Sequence, residues 1–214
     1  MAEITWLGHA MFRLRGRDAT IVTDPFDRTL GLELPRPRAD IVTVSHDHPH
    51  HNAVSTIKGE PRVLHGPGEY EIKGVFITGI GSYADNKKGA ERGENTIYLF
   101  ELDDLLICHL GSLGHALTAK QVEALSDVHV LLVPVGGHTT LDAAHAAEII
   151  AQIEPRLVVP MHYRTGAEHV AGEDNLEKFA REMGLKEWKT QDRLVIKPSD
   201  LPEATNVAIL EIRS

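Results

Sequence analysis

Ile41-Val42-Thr43-Val44-Ser45-His46-Asp47-His48-Pro49-His50-His51-Asn52 is the stretch on which the fold turns. Its first four residues form an apolar, β-branched run that reads as a buried strand. The run ends directly at a cluster holding four of the chain's 13 histidines. On extended chain, alternate side chains share one side, so His46 and His48 can converge on a point. His51 opens the next element and can approach from another direction. A strand end that widens into a loop is rigid below and open above. A catalytic metal needs that arrangement, with protein ligands on one side and a free position for water.

The pattern recurs outward from this stretch. His109 follows Leu105-Leu106-Ile107-Cys108, and His162 follows Val158-Val159-Pro160-Met161. Strand ends of one sheet system gather at one edge, so these segments predict a single site assembled from distant sequence. Asp24, in Thr23-Asp24-Pro25, holds a ligand imidazole from behind or simply forms a turn. His9, after Gly8, lines the site or makes a structural hydrogen bond. His138, in Gly137-His138-Thr139, sits on a strand-to-helix loop where substrate can touch it. Glu69 is a weaker candidate for the cleft. Arg92 and Asn95 border a polar segment over 84–94, expected to be a mobile hairpin loop, and would meet an anionic substrate if that loop is a lid. His65, His115, His129, His145 and His169 read as structural or exposed.

The first half of the chain reads as short strands broken by turns. The second half alternates strands with helices expected over 118–125, 141–153 and 175–183. In the clearest helix Ala143, Ala147, Ile150 and Ile153 fall on one face, and Pro155 stops it. Strands paired with amphipathic helices imply an α/β (α+β) architecture of sheets covered by helices. No repeat or linker divides the 214 residues, so residues 1–214 are expected to form one domain.

Composition narrows the partners. A net charge of −9 with no basic stripe disfavours nucleic acid and leaves a small-molecule substrate. The single cysteine, Cys108, excludes an internal disulfide and a cysteine-based zinc knuckle, and reads as a core residue. Neither a signal peptide nor a membrane span is visible, so a cytoplasmic location is expected.

Seven short motifs then occur in order: Trp6-Leu7-Gly8-His9-Ala10, Thr23-Asp24-Pro25, Ser45-His46-Asp47-His48, Gly66-Pro67-Gly68-Glu69-Tyr70, His109-Leu110-Gly111, Pro134-Val135-Gly136-Gly137 and Pro160-Met161-His162-Tyr163. Together they resemble the metallo-β-lactamase superfamily, in particular its ascorbate-6-phosphate lactonase-like branch. The resemblance implies a four-layer αββα sandwich with metals at one edge. It implies a first metal site of His46, His48 and His109, and a second that includes His51 and His162. Two positions depart from the family's pattern. His50 stands where the motif has an aspartate, and Ser112 stands where an aspartate bridges the two metals. Neutral imidazoles do not offset the repulsion between two divalent ions. One zinc ion is therefore expected, with a second weak or absent, and nickel or iron also suits nitrogen ligands.

By the same resemblance, a metal-activated water would attack a small ester, lactone or phosphoester. His50 would serve as base, or His51 and His162 if no metal occupies them, and His50 could instead donate nitrogen to the metal. The alternative is a degenerate relative that binds a metal or metabolite without turnover.

Overall fold

The computed structural model describes residues 1–166 and 172–213, so His169 lies outside the described residues. In chain order the strands are β1 (Ala2–Gly8), β2 (Met11–Arg15), β3 (Thr20–Thr23), β4 (Ile41–Val44), β5 (Arg62–His65), β6 (Gly68–Ile72), β7 (Val75–Tyr83) and β8 (Glu94–Leu102). There follow β9 (Leu105–His109), β10 (Val130–Pro134), β11 (Leu157–Met161), β12 (Thr190–Gln191), β13 (Leu194–Ile196), β14 (Asn206–Val207) and β15 (Ile209–Leu210). Helices α1 (Ala119–Ala124), α2 (Ala143–Ile153) and α3 (Leu176–Glu182) fall in the second half. One sheet is ordered β13-β1-β2-β3-β4-β5 and the other β14-β11-β10-β9-β8-β7-β6, with β12 and β15 forming a small pair.

Alternation within the first sheet sorts its side chains into two layers. Ile4, Trp6, Phe12, Leu14, Ile21 and Ile41 join a large core shared with the second sheet and the helices. Their neighbours Leu7, Met11, Val22, Val42 and Val44 face the other way, into a smaller cluster. Each such side chain, fully buried, contributes about 1.5–3 kcal/mol. The two facing sheets are the sandwich that the resemblance implies. Its layers are unequal, however. The buried residues of α2 and Phe179 of α3 belong to the large core, whereas the outer face of the first sheet is roofed by Phe26, Leu30, Leu32 and Ile57 from loops and single turns. Gly31, Pro35 and Pro37 keep that segment from forming a longer helix.

The helix boundaries follow their caps. The Thr118 side chain accepts from the Gln121 amide and Gln121 reciprocates, closing a capping box on α1. Asp142 caps α2 through the His145 amide, and the last turn ends at Glu154, in left-handed conformation at φ 52°. The buried stripe of α2 is Ala143, Ala146, Ile149, Ile150 and Ile153, so Ala146 takes the place expected of Ala147, which is only half-buried. Among the described residues no helix is long and apolar enough to cross a membrane.

Candidate metal centre

Strand direction gathers the site. Because β1 and β3 each run antiparallel to β2, and β4 runs parallel to β3, the ends of β1, β3 and β4 lie at one edge. In the second sheet β9, β10 and β11 are parallel and also end together. The two edges meet where the His162 amide donates to the His9 carbonyl at 3.1 Å. The chain turns sharply after several of these strands. His9, Asp24, His138 and His162 all adopt left-handed backbone, with φ of 52°, 39°, 56° and 54°. Such residues cost about 1–2 kcal/mol each and persist only where the surroundings enforce them. A close approach also needs glycine at 136, where a Cβ would sit 2.2 Å from the His162 carbonyl oxygen.

At this edge one ring nitrogen each from His9, His51 and His162 lie within 4.8 Å of one another. Ring centroids are 3.7 Å apart for His9 and His162, 5.0 Å for His9 and His51, and 5.5 Å for His51 and His162. All three rings are buried. His51 Nδ1 donates to Asp24 Oδ2 at 2.8 Å, which assigns the proton to Nδ1 and leaves Nε2 a lone pair. Asp24 is itself fixed by the Ser45 amide at 2.8 Å and the Ser45 hydroxyl at 2.5 Å. Burial raises the Asp24 carboxyl above its ordinary range, against the pull of His109 and Ser45. His162 Nδ1 lies 3.0 Å from Glu173 Oε1, a close contact whose angle is poor for a hydrogen bond. Burial pushes the Glu173 carboxyl up, but the His162 imidazole outweighs it and holds the group below the usual range.

His9 supplies the test of whether a metal fits. Its Nε2 is buried without a hydrogen-bond partner, which would cost about 1–3 kcal/mol if nothing bound it. Burial first, and the His162 imidazole next, hold both His9 and His51 well below the usual histidine range. Both are thus neutral near pH 7, the form that ligates metal. The chemistry of the donor set fits a nitrogen-preferring divalent cation.

A cavity of about 480 Å³ opens above these rings. His46, His48 and His50 stand on its rim, with His46 5.7 Å from His51 and His48 4.6 Å from His50, centroid to centroid. His46 Nδ1 meets the Glu94 carbonyl at 3.0 Å. His48 Nδ1 accepts from the His50 amide, and His50 Nε2 lies 3.2 Å from Thr29 Oγ1. Partial burial lowers the pKa of both His48 and His50, and a neighbouring imidazole adds to it. Ser112, His138 and Arg92 also line the cavity.

Several expected site residues are placed differently. His46, His48 and His109 do not gather about one point. His109 Nε2 donates to the Ala10 carbonyl at 2.9 Å and its Nδ1 accepts from the Gly111 amide, so backbone takes both nitrogens of a buried ring that does not line the cavity. Asn95 does not face substrate, because it is buried and its amide is spent on Ser82, Leu110 and Ser112. Glu69 lies on β6, outside the cavity. The polar loop between β7 and β8 is tied together by Asp85, whose carboxylate accepts from the amides of Lys87, Gly89, Glu91 and Arg92. Burial pushes the Asp85 carboxyl up, yet these bonds bring it down to about 2. Glu173 was not expected in the cavity. It lies in a polar stretch before α3 and carries no strand or motif signal.

Residues 3–162 match the family described as the beta-lactamase superfamily domain. The chain belongs to that family. Its similarity to a β-lactamase superfamily protein of known structure from Thermotoga maritima reaches 34% identity over the whole of both chains, with a TM-score of 0.82. A protein from Hyperthermus butylicus named UPF0173 metal-dependent hydrolase is 27% identical, covering 94% of this chain and 99% of its own length. A Pyrococcus horikoshii protein with the same designation is 28% identical over 94% of this chain and 98% of its own. The metallo-β-lactamase fold protein YhfI of Bacillus subtilis, at 10% identity and a TM-score of 0.61 over 97% of this chain and 96% of its own, shares the fold.

Proposed function

We propose that this protein is a metal-dependent hydrolase of a small ester, lactone or phosphoester. The carrying observation is the buried trio His9, His51 and His162, one of whose facing nitrogens has no partner within the protein. The names of the Hyperthermus and Pyrococcus relatives support the same class. Three imidazoles beneath an open cavity suit a single zinc ion. When bound, zinc supplies Lewis acidity and brings the pKa of water from about 15.7 toward roughly 7.

The protein's own residues do the rest. Asp24 and Glu173 aim His51 and His162 from behind. Asp27 accepts from the Thr29 hydroxyl at 2.5 Å, so Thr29 in turn accepts from His50 Nε2. That relay leaves His50 Nδ1 as the ring's proton acceptor. His50 therefore takes the proton released when water adds to the substrate, while His46 and His48 border the substrate's position. With His50 and Ser112 at the positions of the family's aspartates, a second ion is not held.

Ser112 also favours a second reading, binding of metal without turnover, because no carboxylate reaches the cavity from that position. Metal analysis of protein purified without added zinc and again after zinc loading, combined with a panel of nitrophenyl esters, lactones and phosphodiesters, separates the two. Wild type should carry about one ion and turn over a panel member, and His51→Ala should lose both. A metal-loaded but inert wild type would support the second reading. A wild type that takes up no ion would overturn both.

A further inference from the structure

We propose that Arg92 and the cavity behind it form a subsite for a substrate oxyanion, either carboxylate or phosphate, held away from the bond that is hydrolysed. The inference rests on the hydrolase reading for the reaction but not for the binding. A second cavity of about 420 Å³ adjoins the one over the metal centre, and Arg92 and His138 are common to the walls of both. The two cavities are thus neighbours at Arg92 and His138.

That guanidinium is built in. The Arg92 amide donates to Asp85 Oδ2 at 2.7 Å, and its Nε donates to the Ala84 carbonyl at 2.9 Å. Asp85 is wholly buried and ties in the amides of Lys87, Gly89 and Glu91, so the loop carrying Arg92 is closed on itself. The loop is also seated on the body of the protein: the Gly114 amide donates to Tyr83, and a Cβ at 114 would come within 2.3 Å of the Ala84 oxygen.

The head group is left free. Among the described residues, no carboxylate pairs with Arg92 and its terminal nitrogens make no hydrogen bond. The nearby acids are engaged elsewhere. Glu91 pairs with Lys87 at 2.5 Å, and Asp142 takes both the amide and Nδ1 of His145. On a chain of net charge −9, an immobilised and unopposed guanidinium is a ready anion receptor. Its planar fork matches the two oxygens of a carboxylate or phosphate, and fixing it beforehand lowers the entropy cost of binding. The reaction served is ordinary hydrolysis, in which the ester and one water give an acid and an alcohol, with the anionic group carried through unchanged.

Calorimetric titration of the zinc-loaded protein with glutarate, methyl phosphate and neutral dimethyl glutarate tests the subsite directly. Wild type should bind at least one anion about tenfold or more tighter than the neutral ester, the scale of a charge-assisted pair. Arg92→Gln should lose that preference, Arg92→Lys should keep part of it, and Lys88→Gln, on the exposed side of the same loop, should keep all of it. In parallel, 4-nitrophenyl hydrogen glutarate and 4-nitrophenyl acetate share a leaving group and differ in the anionic tail, and their kcat/KM ratio should fall about tenfold in Arg92→Gln. Whichever of glutarate and methyl phosphate depends more on Arg92 identifies the anion. Equal anion binding by wild type and Arg92→Gln would overturn the subsite. So would a loss of zinc from Arg92→Gln that accounts for its weaker binding. Absence of turnover on either ester would sink the hydrolase reading alone, and the titration would still decide this one.

Discussion

Of the seven histidines that line one cavity, six form two groups that differ in support. His9, His51 and His162 are buried, and two of them are backed by carboxylates. His46, His48 and His50 stand on the rim, more exposed, leaning on carbonyl, hydroxyl or backbone groups. The residue type is the same in both groups. Burial keeps His9 and His51 neutral near pH 7, and carboxylates stand behind His51 and His162, so the group is pre-arranged to share an ion. The rim rings retain freedom to meet substrate and to carry protons. Ligation, on this comparison, is decided by what stands behind an imidazole more than by how many imidazoles stand together.

The comparison breaks most visibly at the buried group. His51→Ala or His162→Ala should abolish zinc retention, a loss of about 1,000-fold or more, beyond the roughly 10–100-fold that supporting residues contribute. His46→Ala should weaken zinc by no more than about tenfold on the same scale. Competition with a chelator measures all three, and equal losses would erase the distinction between the groups. Next in size are the carboxylates. Asp24→Asn and Glu173→Gln should each weaken zinc about 10–100-fold. Asp24→Asn should also cost about 1–3 kcal/mol in urea unfolding, because the hydrogen bonds of His51 and Ser45 are buried.

A smaller effect tests burial itself. The folded protein holds His9 and His51 well below the ordinary histidine range, whereas the unfolded chain titrates them near 6.5. Below that pH the unfolded state binds protons that the folded state refuses, so stability is full above about 6.5 and is lost as pH falls. Metal-free protein should therefore melt several degrees lower at pH 5.5 than at pH 7.5, and zinc, which binds the unprotonated rings, should not shrink the difference. A flat profile would mean that these rings are not held neutral. The smallest change expected is in stoichiometry. His50→Asp combined with Ser112→Asp should raise bound zinc from about one ion toward two, since both positions line the cavity and two carboxylates offset the repulsion between ions. Unchanged stoichiometry, read by metal analysis, would reject the charge argument.

Much of the molecule was legible beforehand. The apolar runs ending at His46, His109 and His162 pointed to one sheet edge, with His9 and Asp24 as weaker candidates beside it. The sandwich was implied by the resemblance of the seven motifs to the metallo-β-lactamase superfamily, though the irregular roof over the first sheet was not. The errors have physical causes. His109 ends a strand whose two faces are both in the protein interior, so alternation cannot say which face meets the cavity. His9 is a lone histidine after a glycine, and only its left-handed turn aims the ring inward. Glu173 precedes a short helix in a polar stretch, where no periodicity marks a side chain that folding will bury.

From the order of residues alone come the parts: which strands stop at histidines, where helices start, and that positions 50 and 112 carry no carboxylate. Those are local matters of side-chain chemistry and chain period. Folding alone decided that His9 would replace His109 in the group that can hold a metal, that a distant glutamate would stand behind His162, and that Arg92 would be left without a counter-charge. Each of these depends on the direction of a side chain at the end of an element, and that direction is set by neighbours far away in the chain.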